Sequence, residues 1–160
     1  MKSILKFFFD LFEIDLTEDD IEIHEEEMND ELGYYIPNEN NIIHINNNLN
    51  GINKELTIVH ELAHLFQYKY NKSISLDFTP TSTAIAYDVV DANIEYRNKR
   101  LEIDARLVEL YYIYNQCGKE GVKMCISYLI DNTSISKIKR SVLNLKQKDF
   151  STLLLALLNN

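Results

Sequence analysis

The chain has 160 residues, of which 46% are hydrophobic, and a formal net charge of −9 at pH 7. This length suits one domain with an ordinary core and is too short for two sizeable ones. The acidic balance argues against a nucleic-acid surface, because duplex binding depends on Lys and Arg that neutralise phosphates. We therefore expect a single domain over residues 1–160 that binds no nucleic acid.

The N-terminal residues 1–14 have apolar positions at helical spacing and predict an amphipathic helix. Lys6 and Asp10 interrupt the apolar run, which is unlike a secretory signal. The C-terminal apolar run 153–158 is far shorter than the roughly 20 residues that a membrane crossing needs. We therefore expect no membrane partner. Cys117 and Cys125 lack CxxC spacing, so we expect free thiols in a reducing cytoplasm.

Three short strands are predicted next, over residues 21–24, 32–36 and 42–45. The first alternates apolar and polar residues, and the other two are separated by the turn-rich segment 37–41, which favours a hairpin. These strands predict a small antiparallel sheet. The third strand, residues 41–46, is a candidate edge to which an extended peptide could add as another strand. An Asn-rich turn over residues 47–51 follows it.

Helices dominate the rest of the chain. A helix over residues 52–70 is apolar on nearly all sides and is predicted to be central. Residues 71–83 have no sustained period and predict a mobile loop, and residues 84–93 fit no single element. Helices are predicted over 94–115, closed by Gly118, and over 121–130, 136–145 and 150–158. The chain is thus predicted to have an α+β fold, with a sheet of about three strands packed on one helix and a mostly helical C-terminal half.

The central helix contains the sequence His60-Glu61-Leu62-Ala63-His64. Residues four apart lie on one face of a helix, so both imidazoles can bind one metal ion, and the adjacent carboxylate can take a proton from a zinc-bound water. This pattern arises by chance in about one chain of this length in a hundred or fewer. The apolar neighbours leave almost no solvated face for two idle histidines, which favours a zinc site.

A hydrolytic zinc site generally needs a third protein ligand and keeps one position for water. The other two histidines, His24 and His44, precede the motif on predicted strands. Acidic residues in an apolar helix, Glu102 and Asp104 beside Ala105, are better candidates. The alternative for Glu102 is an ion pair with Arg106, four residues further on, worth a few tenths of a kcal/mol.

The HExxH helix, the preceding small sheet and the later Glu-x-Asp-Ala sequence together resemble the gluzincin-type zinc metallopeptidases, particularly the ImmA/IrrE-like and minigluzincin proteins. The resemblance covers roughly residues 33–112, and its specific part is about a dozen residues. It implies one Zn²⁺ per chain with His60, His64 and Glu102 as ligands and Glu61 as general base. Asp104 is the reserve ligand.

One position departs from the family pattern. Many relatives have an Asp directly after the Ala, where it can hydrogen-bond a ligand histidine, and this chain has Arg106. Such a partner commonly matters about ten- to a hundredfold for metal affinity or activity. Asp104 and Asp91 are the candidate substitutes.

Several further roles stay open at the sequence level. Tyr87, Tyr96 and Tyr111 are candidates to stabilise the oxyanion, and His44 is a candidate to reach the site, with a cross-strand structural role as the alternative.

The sequence therefore predicts a zinc metalloendopeptidase that acts on a peptide or protein. Its parts are an N-terminal helix over 1–14, a catalytic core over 20–112 and a helical segment over 119–160. The alternative function is a zinc-binding regulatory or interaction protein of the same fold, with weak proteolysis or with a C-terminal segment that blocks its own site. The oligomeric state is not predicted.

Overall fold

The computed structural model describes residues 2–11, 16–37, 40–69, 94–130, 135–143 and 145–159, with the backbone alone for residues 94–100. The chain divides into two compact units, Met1–Lys69 and Tyr70–Asn160. The predicted loop over residues 71–83 and the segment over residues 84–93 lie outside the described residues. The expectation of a single functional domain stays a prediction.

The described residues of the first unit form two α-helices and three strands. They are α1 (Lys2–Leu11), β1 (Glu22–Glu26), β2 (Gly33–Tyr35), β3 (Ile42–Asn46) and α2 (Gly51–Lys69), with a 3-10 turn (Glu18–Asp20) before β1. All three strands lie within one or two residues of their predicted positions, and the predicted central helix is α2. The α+β fold class is confirmed.

The three strands form one sheet in the order β1-β3-β2. Strands β2 and β3 pair antiparallel, as the predicted hairpin requires, whereas β1 pairs parallel to β3 with His24 opposite His44. The sheet is therefore mixed and not wholly antiparallel. The prediction of β3 as an edge strand is wrong, because β3 is the central strand and has a hydrogen-bonded neighbour on each side.

The two faces of the sheet differ as the alternation of side chains along a strand requires. Ile43 and Ile45 on β3 are fully buried on the face that packs on α2. On the far side of α2, the ring of Phe66 contacts that of Phe8 on α1, with centroids 5.2 Å apart. Burying an aromatic side chain contributes about 1.5–3 kcal/mol. These apolar contacts fix α2 between α1 and the sheet.

Asn46, at the end of β3, holds the connection between β1 and β2. Its side-chain amide donates to the carbonyl oxygens of Met28 and Glu31 at 2.9 and 3.1 Å, and its Oδ1 accepts from the backbone N–H of Asn48 at 3.0 Å. These bonds satisfy buried polar groups that would otherwise cost about 1–3 kcal/mol each.

The second unit contains α3 (Ile94–Leu129), α4 (Ile135–Leu143) and α5 (Lys148–Leu158). Gly118 has φ 65° and ψ −159° and interrupts α3 where the sequence predicted a helix stop. Phe150 of α5 packs against Tyr111 and Tyr114 of α3, with centroids 5.0 and 5.4 Å apart, and Ser151 Oγ donates to the carbonyl of Val142 on α4. Of the helices that the structure describes, none has the length and apolarity to cross a membrane.

Candidate metal centre

Helix α2 presents His60 and His64 on one face, as their spacing predicts. The Nε2 atoms of the two rings lie 2.9 Å apart, and the rings meet edge to face with centroids 4.6 Å apart. His60 and Glu61 are buried at 9% and 7% exposure, and His64 is partly buried. Two imidazoles that converge at this depth form a preorganised pair of nitrogen ligands.

Gln67, one turn after His64, sets the chemistry of that histidine. Its Oε1 lies 2.9 Å from His64 Nδ1, and a carbonyl oxygen only accepts, so Nδ1 carries the proton and donates it. The lone pair of His64 is then on Nε2, the atom that faces His60. An outer partner of this kind orients metal-binding histidines in general. Gln67 itself is 3% exposed, so its amide is held firmly.

The spacing of the two nitrogens fits a tetrahedral metal ion. Ligand nitrogens about 2.0–2.1 Å from zinc at a tetrahedral angle lie about 3.3 Å apart. The observed 2.9 Å differs from that value by less than half an ångström, a change that a small rotation of either ring supplies. His60 and His64 therefore suit zinc in donor type and separation, and His64 also in tautomer.

Glu61 is placed by a close contact between α2 and β2. A Cβ added at Gly33 would lie 2.7 Å from Thr57 Cγ2, 2.8 Å from the carbonyl oxygen of His44 and 3.3 Å from Glu61 Cγ. Only glycine permits this approach. The Thr57 hydroxyl donates to the carbonyl of Asn53 at 2.9 Å, which directs the Thr57 methyl group towards the strand. No motif or spacing in the sequence marks Gly33 as a residue of the site.

His44 does not reach the motif. It lies on β3 between Ile43 and Ile45, whose side chains face α2, so its own side chain is on the other face of the sheet with Tyr34 and Glu26. The proposal that His44 reaches the site is wrong, and the cross-strand alternative is correct. The alternation of apolar residues in β3 was the sequence signal that could have shown this.

The later acidic residues lie on α3 in the second unit. Glu102 is exposed and Asp104 is buried at 1% exposure. Arg106 donates through Nη1 to both carboxylate oxygens of buried Glu109, at 2.8 and 3.1 Å. The alternative ion pair between Glu102 and Arg106 is therefore wrong, because Arg106 pairs with Glu109. Each of His60, His64 and Glu102 offers an atom of the type that binds a metal ion. The role of Glu102 as third ligand stays a prediction.

The remaining candidates have different outcomes. Tyr111 is partly buried against Phe150, and nothing in that contact assigns it to an oxyanion. Tyr87 and Asp91 lie outside the described residues, as does the side chain of Tyr96.

The charge of the first unit favours cations. Residues 1–69 carry 15 acidic side chains against four lysines and no arginine, although the whole chain has a formal charge of only −9. Lys6 and Lys54 are paired with Asp10 and Glu25, each at 2.6 Å. An excess of carboxylates of this size raises the local concentration of cations, metal ions included.

Residues 17–89 match the family Peptidase_M78, described as the IrrE N-terminal-like domain, which indicates a zinc-metallopeptidase-like domain. The HExxH histidine pair on α2, under the small sheet, lies within this match. The predicted resemblance to ImmA/IrrE-like metallopeptidases is confirmed over this segment, which is slightly less than half of the chain. It includes His60, Glu61 and His64 and ends before Glu102. No curated protein and no solved structure matched the chain significantly.

Proposed function

We propose that the protein is a zinc-dependent metalloendopeptidase of the cytoplasm, with His60, His64 and Glu102 as the metal ligands and Glu61 as the general base. The observation that carries the proposal is the convergent pair of Nε2 atoms on α2, from buried His60 and partly buried His64, with buried Glu61 next to the first of them. A purely structural zinc site has no need of a buried glutamate between its ligands. The family match over residues 17–89 supports the same chemistry.

Zinc, when bound at such a site, lowers the pKa of a coordinated water and polarises the scissile carbonyl. Glu61 then accepts the proton of the attacking water and delivers it to the leaving amine. Gln67 keeps His64 in the tautomer that binds metal, and the tight packing of Gly33 on α2 limits the positions that Glu61 can adopt. Burial of Glu61 raises the contribution of this proton transfer, because little bulk water competes.

The peptide substrate is proposed to bind as an added strand along β2. The backbone N–H of Asn46 donates to the carbonyl of Leu32, so this pair is hydrogen-bonded. Hydrogen-bonded and non-hydrogen-bonded pairs alternate along antiparallel strands, so the next hydrogen-bonded pair is Tyr34 with His44. Gly33 and Tyr35 therefore direct their N–H and C=O groups away from β3. Because Gly33 touches α2 at Glu61, a strand paired there would pass close to the general base.

The general base is tested by comparing the wild type with Glu61→Gln, using zinc content and cleavage of a mixed peptide library. The proposal predicts one zinc at the α2 site in both proteins and a loss of cleavage of at least about a hundredfold in Glu61→Gln. Glu55→Gln is the matched control, because Glu55 is an exposed glutamate of the same helix, and it should cleave at the wild-type rate. Wild-type zinc binding without cleavage would favour the regulatory alternative.

The third ligand needs its own pair of variants. Glu102→Ala should lower zinc affinity at the α2 site by at least about tenfold, and Asp104→Asn should leave it within about threefold. The opposite result would assign the ligand to Asp104. Full retention in both variants would contradict the ligand set.

Truncation of the C-terminal segment cannot test whether that segment blocks the site. Removing residues after 148 would delete Phe150 and Leu154, which are buried core residues of the second unit. A loss of activity on truncation would then report unfolding.

A further inference from the structure

Two tyrosines lie one step along from the proposed site, on the strand and the helix that meet there. Tyr35 is on β2, two residues after Gly33, and Tyr68 is on α2, four residues after His64. Their rings are in contact, with centroids 6.1 Å apart and planes at 60°. Both side chains are partly buried. Neither takes part in the proton transfer proposed for Glu61.

The tyrosine pair continues the contact between β2 and α2 that places Glu61. Side chains alternate along a strand, so Tyr35 projects towards α2 from the same face of β2 as a Cβ at Gly33 would. The strand meets Thr57 and Glu61 at Gly33, and it meets Tyr68 at Tyr35. Thr57, Glu61 and Tyr68 are spaced by four and seven residues, so they lie on one stripe of the helix. Strand β2 therefore lies along this stripe.

His64 lies between the general base and the tyrosine pair. It is three residues after Glu61 and four before Tyr68, and both spacings join neighbours on a helix. Gln67, the residue before Tyr68, is 3% exposed and holds the His64 ring through Nδ1. The helix backbone under Tyr68 is fixed by this buried neighbour. The tyrosine pair thus borders a proposed metal ligand on a rigid part of α2.

A peptide added along β2 would direct alternate side chains towards the α2 side of the sheet. If one of them lies beside Gly33, near the general base, the next on that side lies about 6.6–6.8 Å further on, beside Tyr35. The tyrosine pair is the surface that this side chain meets. Aromatic rings pack favourably on one another in offset or edge-to-face arrangements, which gives such a surface a preference for an aromatic partner.

We propose that Tyr35 and Tyr68 form a subsite that selects an aromatic side chain of the substrate, within about three residues of the cleaved bond. This inference rests on the proposed peptidase function and deepens it by naming a class of substrate. That class is an extended peptide with Phe, Tyr or Trp at one fixed distance from the cleaved bond.

The first test is the sequence preference of cleavage. A mixed peptide library cut by the zinc-loaded wild type and read by mass spectrometry should show aromatic residues enriched at a single position. Two peptides that differ only there, Phe against Ala, should differ in kcat/KM by at least about tenfold. Tyr68→Ala and Tyr35→Ala should each reduce this ratio below about threefold. The ratio reports the subsite, because a misplaced catalytic group slows both peptides equally.

Two further variants separate the subsite from other roles of these tyrosines. Tyr68→Phe keeps the ring and should keep the ratio, whereas equal slowing of both peptides would assign the hydroxyl to the reaction and overturn the subsite. Tyr34→Ala is the matched control on β2, because the Tyr34 ring stacks on His44 on the opposite face of the sheet. It should keep the wild-type ratio.

The second test measures binding and does not depend on cleavage. Labelled decapeptides of Ala, Gly and Ser with one central Phe, Ala or Arg are titrated into Glu61→Gln, and fluorescence anisotropy gives the affinities. The Phe peptide should bind at least about fivefold tighter than the Ala peptide, and adding Tyr68→Ala should remove the difference. This preference without any cleavage by the wild type would count against the peptidase and not against the subsite. Equal affinities, or tighter binding of the Arg peptide, would overturn the subsite.

Discussion

Gly33→Ala is expected to damage both the stability and the activity of the protein through a single added methyl group. In β2 the new Cβ would lie 2.7 Å from Thr57 Cγ2 and 2.8 Å from the carbonyl oxygen of His44. Carbon atoms in contact normally lie about 3.5–4.0 Å apart. The His44 contact is with the backbone of the paired strand, so it can be relieved only if β2 moves relative to β3, which strains the pairing of the two strands.

The size of the effect follows from two opposing terms. Overpacking in a well-packed core costs about 1–3 kcal/mol. Replacing glycine in the unfolded chain returns about 0.4–1 kcal/mol, because alanine has fewer backbone conformations to lose. The free energy of unfolding should therefore fall by about 1–2 kcal/mol, measured by urea denaturation.

A double variant distinguishes this clash from other causes. Thr57→Ser removes the Cγ2 atom that Gly33→Ala would touch and retains the hydroxyl that bonds Asn53. Thr57→Ser alone should cost about 0.8 kcal/mol for one buried methyl group. Combined with Gly33→Ala it should cost less than the sum of the two, by about 0.5 kcal/mol or more. Additive losses would refute the assigned contact.

Activity provides the second readout of the same substitution. Glu61 Cγ lies 3.3 Å from the added atom, so the carboxylate should move while the two histidines keep their places. Displacement of a catalytic group by about 1 Å can cost about a hundredfold in rate. Zinc content should be unchanged and cleavage should fall at least tenfold, and wild-type cleavage together with wild-type stability would refute the whole argument.

Three further predictions follow from single contacts. Gln67→Ala should lower zinc affinity at the α2 site by about ten- to a hundredfold in a chelator competition, and Gln67→Glu should restore it, because either acceptor orients the second motif histidine. Arg106→Ala should cost about 1–3 kcal/mol in urea denaturation, because it leaves buried Glu109 without its guanidinium, and 39% exposure of Arg106 keeps the loss below that of a fully buried pair. The Tyr34 hydroxyl and, after it, His44 donate hydrogen bonds that lower the pKa of Glu26, so this group contributes stability above the ordinary carboxyl range and loses it as the pH falls through the folded-state pKa. Tyr34→Phe should therefore raise the pKa of Glu26 in an NMR titration, and an unchanged pKa would contradict the Tyr34–Glu26 hydrogen bond.

Local pattern was sufficient for much of the fold. The 3.6-residue period of α2, the turn before β3 and Gly118 after a long apolar period each report on neighbours in sequence, and the structure has all three features where they were expected. The pairing of β1 with β3 could not be predicted from local pattern. Its parallel match to β3 depends on a crossover around β2, and no residue in β1 specifies which strand it joins.

The site was predictable to the same extent. The convergence of His60 and His64 follows from their spacing alone, because residues four apart lie on one face of a helix. Gln67 is three residues beyond His64 and was within reach of the same helical reasoning. Gly33 was not, since its contact with Glu61 joins residues 28 positions apart and depends on how closely a strand approaches a helix.

The zinc-edge X-ray absorption spectrum of the protein loaded with one equivalent of zinc tests most directly whether the α2 histidine pair holds zinc. We expect two imidazole nitrogens at about 2.0–2.1 Å with oxygen ligands completing the shell. The double variant His60→Asn/His64→Asn should lack the imidazole signal. A wild-type spectrum without imidazole scattering, or with sulfur at about 2.3 Å from Cys117 or Cys125, would contradict this expectation.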